Sequence, residues 1–148
     1  MFELNTLLVP VDFSPVSQGV FDQAVELARG DDAAIIVLHV IDPSLADLVV
    51  ALEMESREAV LRAMHERAER EMGAYKTRAA DRVEVQTIVS EGVPFLEILR
   101  KAEDFQVDAI LMGKFGTRGR IEKLLFGTTA ERVIRGTTRA VIVIPVEN

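Results

Sequence analysis

The 148-residue sequence predicts an α/β fold, a doubly wound five-stranded parallel sheet with helices on both faces. Three observations carry this. Five short runs of β-branched and aliphatic residues recur along the chain, and amphipathic helical patterns fill the gaps between them. No two runs are separated by a hairpin-length turn, so successive strands are joined by right-handed crossovers that place helices on both sides of the sheet.

The first strand is TLLVPV at 6–11, nearly all apolar, as a strand buried on both faces should be. A helix follows over 15–30, with Ser14 as N-cap, Pro15 at the first helical position and Gly30 beyond the end. Val20, Ala24, Leu27 and Ala28 share its apolar face. The second strand, AAIIVLHVI at 33–41, is again apolar throughout. A long helix over 47 to about 80 carries the stripe Leu52, Leu61, Met64, Ala68, Met72 and Tyr75, with Glu58/Arg62 and Glu66/Arg70 spaced as i,i+4 pairs on the wet side. Its start is ambiguous, because Asp42-Pro43-Ser44 is also able to cap a preceding turn. The third strand, VEVQTIV at 83–89, alternates and reads as the edge strand. Pro94, after Gly92, opens a helix over 94–104; VDAILMG at 107–113 is the fourth strand. A last helix over 128–136 leads into AVIVIPV at 140–146, read as buried.

Length and composition set limits. A chain of this size fits one domain, 1–148, able to bury about 70% of its unfolded surface. Cysteine is absent, which removes disulfides, thiolate metal sites and a cysteine nucleophile. The N-terminus lacks the basic and apolar regions of a secretory leader, and no run approaches the roughly 20 apolar residues of a membrane span, so a cytoplasmic protein is expected. A net charge of −7 disfavours nucleic acid and anionic membranes as partners.

In sheets of this type ligands bind beyond the carboxyl ends of the strands, where the strand order reverses. Two segments qualify. After the first strand come Pro10, Val11, Asp12, Phe13 and Ser14; after the fourth comes LMGKFGTRGRIEKLLFGTTAER at 111–132, with four glycines and five basic residues. Asp12 is suited to accept hydrogen bonds from a ligand or to cap the next helix, and Ser14 and Pro15 already serve the cap. Gly113 and Gly116 let backbone amides approach an anion, and Gly127-Thr128 leads into a helix N-terminus whose dipole favours phosphate. Alternatively, Thr128-Thr129-Ala130-Glu131 is a capping box in which the Thr128 hydroxyl serves the Glu131 amide. Lys114 and Arg118 are candidate phosphate contacts; a solvated basic surface is the plainer reading.

Several enzyme classes fail on residues. Gly113-Lys114 is followed by Phe115, so no G-x-x-x-x-G-K-[ST] is formed, and no G-x-G-x-x-G opens the first crossover. A G-x-S-x-G nucleophile is missing. His39, in a buried strand, and His65, mid-helix, are far apart and read as core or surface residues rather than metal ligands. A receiver-type phosphorylation site lacks its acidic pair and its lysine.

On LLVPVDFS (7–14), IVLHVID (36–42), EGVPFLEIL (91–99), the glycine-rich loop and the final AVIVIPV, the sequence resembles the universal stress protein family over essentially its whole length. The most specific element is that family's nucleotide loop, G-x-x-G, nine residues, then G-[ST]. Here ten residues, TRGRIEKLLF, lie between Gly116 and Gly127, an extra residue placed around Thr117 to Gly119. The resemblance implies a sheet of order 3-2-1-4-5 and an adenine-nucleotide site of the family's ATP-binding branch. Pro10, Asp12, Val40, Met112 and Gly113 would line the adenosine pocket; Gly116, Gly127, Thr128 and Thr129 would hold the phosphates, and Phe115 would either cover the ligand or block it. It implies ATP, with AMP as the alternative, together with Mg²⁺. It also implies a homodimer through the strand at 140–146 and protein partners not named by the sequence. The role implied is that of a stress regulator with at most slow hydrolysis, because no general base stands beside the loop. A dimeric interaction module of the same fold that binds no nucleotide is the alternative, and an enzyme using Asp12 or Lys114 the third reading.

Overall fold

The computed structural model describes residues 2–114 and 128–145. Its chain alternates strand and helix: β1 (Thr6–Pro10), α1 (Pro15–Asp31), β2 (Ala34–Ile41), α2 (Pro43–Ala51), α3 (Arg57–Ala79), β3 (Val85–Glu91), α4 (Pro94–Asp104), β4 (Ala109–Gly113), α5 (Thr128–Gly136) and β5 (Ala140–Ile144). The five strands form one parallel sheet in the order β3-β2-β1-β4-β5, as expected.

Alternation along each strand divides the core between the two faces. Leu7, Val9, Val11, Ile35 and Val37 meet Val20, Phe21, Ala24 and Val25 of α1 and Met72 and Tyr75 of α3 on one side. Leu8, Ile36, Leu38, Ile110 and Met112 meet Ile98 and Ala102 of α4 and Ala130 and Val133 of α5 on the other. The three inner strands are therefore dry on both faces, which is why their sequences are almost wholly apolar.

Three sequence expectations are corrected. First, β5 reads as buried from its composition but is an edge strand, as the order 3-2-1-4-5 requires: Ala140 is exposed and the next four residues are half-buried. Its apolar composition describes a strand with an open side, not one enclosed in the sheet. Second, the long helix is two helices. Asp42 caps α2 by accepting from the Ser44 amide at 3.0 Å, Glu53 turns the chain at φ 56°, and Ser56 starts α3 by accepting from the Ala59 amide at 3.2 Å. Leu52 then falls outside the core stripe and is 61% exposed. The pairs Glu58/Arg62 and Glu66/Arg70 do not form among the described residues; α3 instead ties outward through Arg57 to Asp47 and Arg78 to Asp22. Third, α1 runs through Gly30 and closes on Asp32, whose φ of 55° places it in the left-handed region. In α5, Thr128 is the first described helical residue, and the Glu131 carboxylate pairs with Arg135 at 2.8 Å.

Tyr75 packs edge-on against Phe21 with ring centroids 4.9 Å apart, but its hydroxyl is buried without a hydrogen-bond partner among the described residues. Burial first, and then the negative charge of Asp12, pushes the phenol up to about 12. A group with a raised folded-state pKa stabilises the fold below its unfolded value, near 10, and loses that contribution as pH climbs through about 12. Tyr75→Phe removes an unsatisfied hydroxyl, so it is expected to leave stability at pH 7 unchanged or raise it by up to about 1 kcal/mol. Urea titrations between pH 9 and 12 check this: the wild type weakens steeply there, and the variant does so less.

Candidate functional site

The sheet order reverses between β1 and β4, and there the two strands part. β1 pairs with β2 along its whole length, from Thr6↔Ala34 to Pro10↔Leu38, but with β4 only at Leu7↔Ala109 and Leu8↔Ile110. The cause is in the backbone. Odd-numbered residues of β1 face β2, as when the Val11 amide donates to the Leu38 carbonyl at 2.8 Å; even-numbered ones face β4, as when the Thr6 carbonyl accepts from Asp108 at 2.9 Å. Pro10 is even-numbered and has no N–H, so the next donor to β4 is missing. The ladder between the two strands therefore ends short of the carboxyl end of the sheet.

Several elements bring residues to this end. Pro10, in phase with Leu8, ends β1 on the α4/α5 face. Val40 of β2 packs half-buried against the cluster that contains Met112 of β4, itself 7% exposed. Gly113 ends β4, and the following Lys114 amide donates to the Ile144 carbonyl at 2.8 Å. Thr128, exposed, and Thr129, half-buried, form the first turn of α5, whose amides and dipole make that terminus electropositive. Gly116, Arg118 and Gly127, with Phe115, lie outside the described residues.

Asp12 stands exposed on the turn from β1 to α1. Its Oδ1 accepts from the Ser14 amide at 3.1 Å and from the Ser17 hydroxyl at 2.7 Å, while its own amide donates to Ser17 Oγ at 2.9 Å. Ser14 Oγ accepts from the Ser17 amide at 3.1 Å, the cap expected from the sequence. The start of α1 thus engages Asp12 as well as Ser14, and one carboxylate oxygen is held in place by it.

Three residues at this turn were not singled out as site residues by the sequence. Phe13 has φ 66°, a conformation costly for a bulky side chain, by about 1–3 kcal/mol when the surroundings do not enforce it. His39 stacks on the Phe13 ring, centroids 4.0 Å apart, and its Nδ1 lies 2.9 Å from the Val11 carbonyl. A carbonyl only accepts, so Nδ1 carries the hydrogen. Burial, more than any other influence, holds His39 below the usual histidine range; the Val11 bond and Asp12 oppose it, and Arg67 adds to it. Arg67 of α3 sets its guanidinium 5.7 Å from the centroid of the same Phe13 ring. Two signals in the sequence pointed here: Asp-x-Ser, which favours a side-chain-to-backbone turn, and one histidine in an otherwise aliphatic strand.

The arrangement defines an open doubly wound α/β protein whose strand order reverses between β1 and β4, with apolar residues, an aspartate and a helix N-terminus at the carboxyl end of those strands. Residues 3–145 match the Universal stress protein family, and the chain belongs to that family. It is 33% identical over 140 residues to the universal stress protein MJ0531 of Methanocaldococcus jannaschii, covering 93% of this chain and 80% of that one. It is similar to the solved structure of MJ0577, a universal stress protein of the same organism, with TM-score 0.83, 28% identity and 97% of each chain covered. The universal stress protein UspA from Lactobacillus plantarum is likewise 28% identical, with TM-score 0.68 over 97% of this chain and 99% of that one. Universal stress proteins in complex with cAMP (18% identical, TM-score 0.67) and, from Archaeoglobus fulgidus, with dAMP (20%, TM-score 0.63) share its fold.

Proposed function

We propose that this protein binds an adenine nucleotide, ATP or AMP, beyond the carboxyl ends of β1 and β4 and acts as a nucleotide-responsive stress regulator rather than as an enzyme. The observation that carries the reading is the parting of β1 from β4 beyond Leu8↔Ile110, at the place where doubly wound sheets take their ligands. Pro10, Val40 and Met112 supply an apolar wall suited to a purine, and Asp12 an acceptor suited to a ribose hydroxyl or an exocyclic amine. Gly113, beside Met112, closes the adenosine side; Thr128 and Thr129, with Gly116, Gly127, Lys114 and Arg118, are the groups we assign to the phosphates. The fold accommodates adenine mononucleotides in other proteins of its family, which agrees with this choice of ligand.

Among the described residues no three His, Cys, Asp or Glu side chains gather as a metal site. In this reading Mg²⁺ accompanies the nucleotide, held by phosphate oxygens, as that ion is commonly bound in phosphate sites. When bound it would neutralise phosphate charge; the chain's own residues orient and enclose the ligand. We place the protein in the cytoplasm as one domain; among the described residues no helix is long and apolar enough to cross a membrane. Melting the protein with and without Mg-ATP, AMP and GTP tests the reading. A rise with an adenine nucleotide that GTP does not match supports it, and no rise with any nucleotide overturns it.

One observation favours self-association as well. Among the described residues, β5 leaves a row of unpaired backbone groups along an apolar edge, a form that folded proteins usually cover. We propose that the segment 140–146 pairs with its mate in a homodimer, leaving other faces to protein partners. Val143→Lys, a charge on that edge, is expected to convert a dimer to a monomer in sedimentation velocity while leaving the fold intact by circular dichroism. A dimer unchanged by the lysine would place the interface elsewhere.

A further inference from the structure

Asp12 is held on both sides by one residue of a different strand. On its N-terminal side Val11 is 6% exposed and tied twice to β2: its amide donates to the Leu38 carbonyl at 2.8 Å, and its carbonyl accepts from His39 Nδ1 at 2.9 Å. On its C-terminal side Phe13 lies in the left-handed region at φ 66°, its ring against the same imidazole at 4.0 Å and 26° between planes. Such a backbone conformation in a phenylalanine persists only where its surroundings impose it. His39 projects from β2 toward the α1/α3 face, whereas its neighbour Val40 faces the opposite side and the proposed base pocket.

We infer that His39 is a positioning residue for the ligand: by holding Val11 through a hydrogen bond and Phe13 through its ring, it sets where the Asp12 carboxylate stands. The inference rests on the reading of the switch point as an adenine-nucleotide site. His39 touches no ligand in this account. It acts through Asp12, and the bonds from Ser14 and Ser17 to Asp12 Oδ1 complete the arrangement from the α1 side. Arg67, over the Phe13 ring at 5.7 Å, brings α3 into the same contact chain, so the turn is braced by β2, α1 and α3 together.

The two grips are separable by substitution. His39→Asn keeps an N–H where Nδ1 stands and loses the ring; His39→Phe keeps a ring and loses the donor; His39→Leu loses both. Asp12→Asn preserves an Oδ1 acceptor for Ser14 and Ser17 but removes the charge. ATP affinity is measured by calorimetry for each variant and for the double variant His39→Leu/Asp12→Asn, after the melting temperature of each shows that it is folded. His39→Leu is expected to weaken ATP about tenfold, the scale of losing one hydrogen bond and its companion ring contact, with His39→Asn and His39→Phe each losing less. The double variant should bind no more weakly than Asp12→Asn alone, because a residue that acts through Asp12 has nothing left to position.

Penalties that multiply in the double variant overturn the inference, as do folded His39 variants that bind ATP like the wild type. Should His39→Leu fail to fold, His39→Asn and His39→Phe, each combined with Asp12→Asn, decide the matter by the same comparison. If the wild type itself binds no adenine nucleotide, the reading of the site fails and the inference with it. Wild-type binding that is indifferent to His39 sinks the inference alone.

Discussion

Phe21→Ala is expected to destabilise the fold by about 3–5 kcal/mol, a large part of the roughly 5–15 kcal/mol that holds a domain together. Phe21 is fully buried, sits on the face of α1 turned toward β1 and β4, and meets Tyr75 of α3 edge to face. Removing the ring leaves a void bounded by two helices and a sheet, none of which is free to collapse into it without breaking its own ladder or packing. For a chain of this length the melting temperature should fall by about 10–15 °C. Leu45→Ala on α2, where the side chain is 51% exposed, is the matched control and should change stability by no more than about 0.5 kcal/mol. Urea unfolding of the three proteins measures both values; a loss near 1 kcal/mol for Phe21→Ala would mean that the α1–α3 layer is far more plastic than its packing indicates.

The second large effect is ligand-linked. A nucleotide present at about 100 times its dissociation constant adds about 2.7 kcal/mol to the stability of the form that binds it. The melting temperature should then rise by roughly 5–10 °C with Mg-ATP. The rise should be lost in Gly127→Val, which puts a branched side chain at a glycine that the family's loop pattern requires. GTP should produce little shift, since a guanine carries an oxygen where adenine has its amine. A shift retained in the glycine variant would remove the glycine-rich loop from the site; equal shifts with ATP and GTP would remove the base from recognition and leave the phosphates alone.

The alternation of strand and helix was legible because each kind of element announces itself by its own period, and the inner strands by having no polar face at all. What misled was composition read without position. AVIVI is as apolar as the strands inside the sheet, yet β5 stands at its edge; nothing within the segment distinguishes a side covered by its own sheet from a side left open. The break between α2 and α3 was signalled weakly, by Ser56, since the continuing run of good helix formers masks a single residue at φ 56°. At the candidate site, Asp12 could be singled out because it follows an apolar run at the carboxyl end of the sheet, while Pro10 and Met112 were named only through the family resemblance. The part of His39 could not, because its partners Val11 and Phe13 lie 28 and 26 positions away in the chain and meet it only when β2 pairs with β1. Contacts between strands are products of register, and register is a property of the sheet as a whole.

Pro10 gives the parting of β1 from β4 an unusual permanence. Past Leu8↔Ile110 the ladder between β1 and β4 lacks a donor that the imide nitrogen cannot supply, whatever side chains surround it. Neighbours such as Val40 and Met112 are therefore free to change over generations without mending it, since no exchange among them restores the absent donor. A lineage carrying this proline keeps that break in the ladder whatever its neighbouring side chains become.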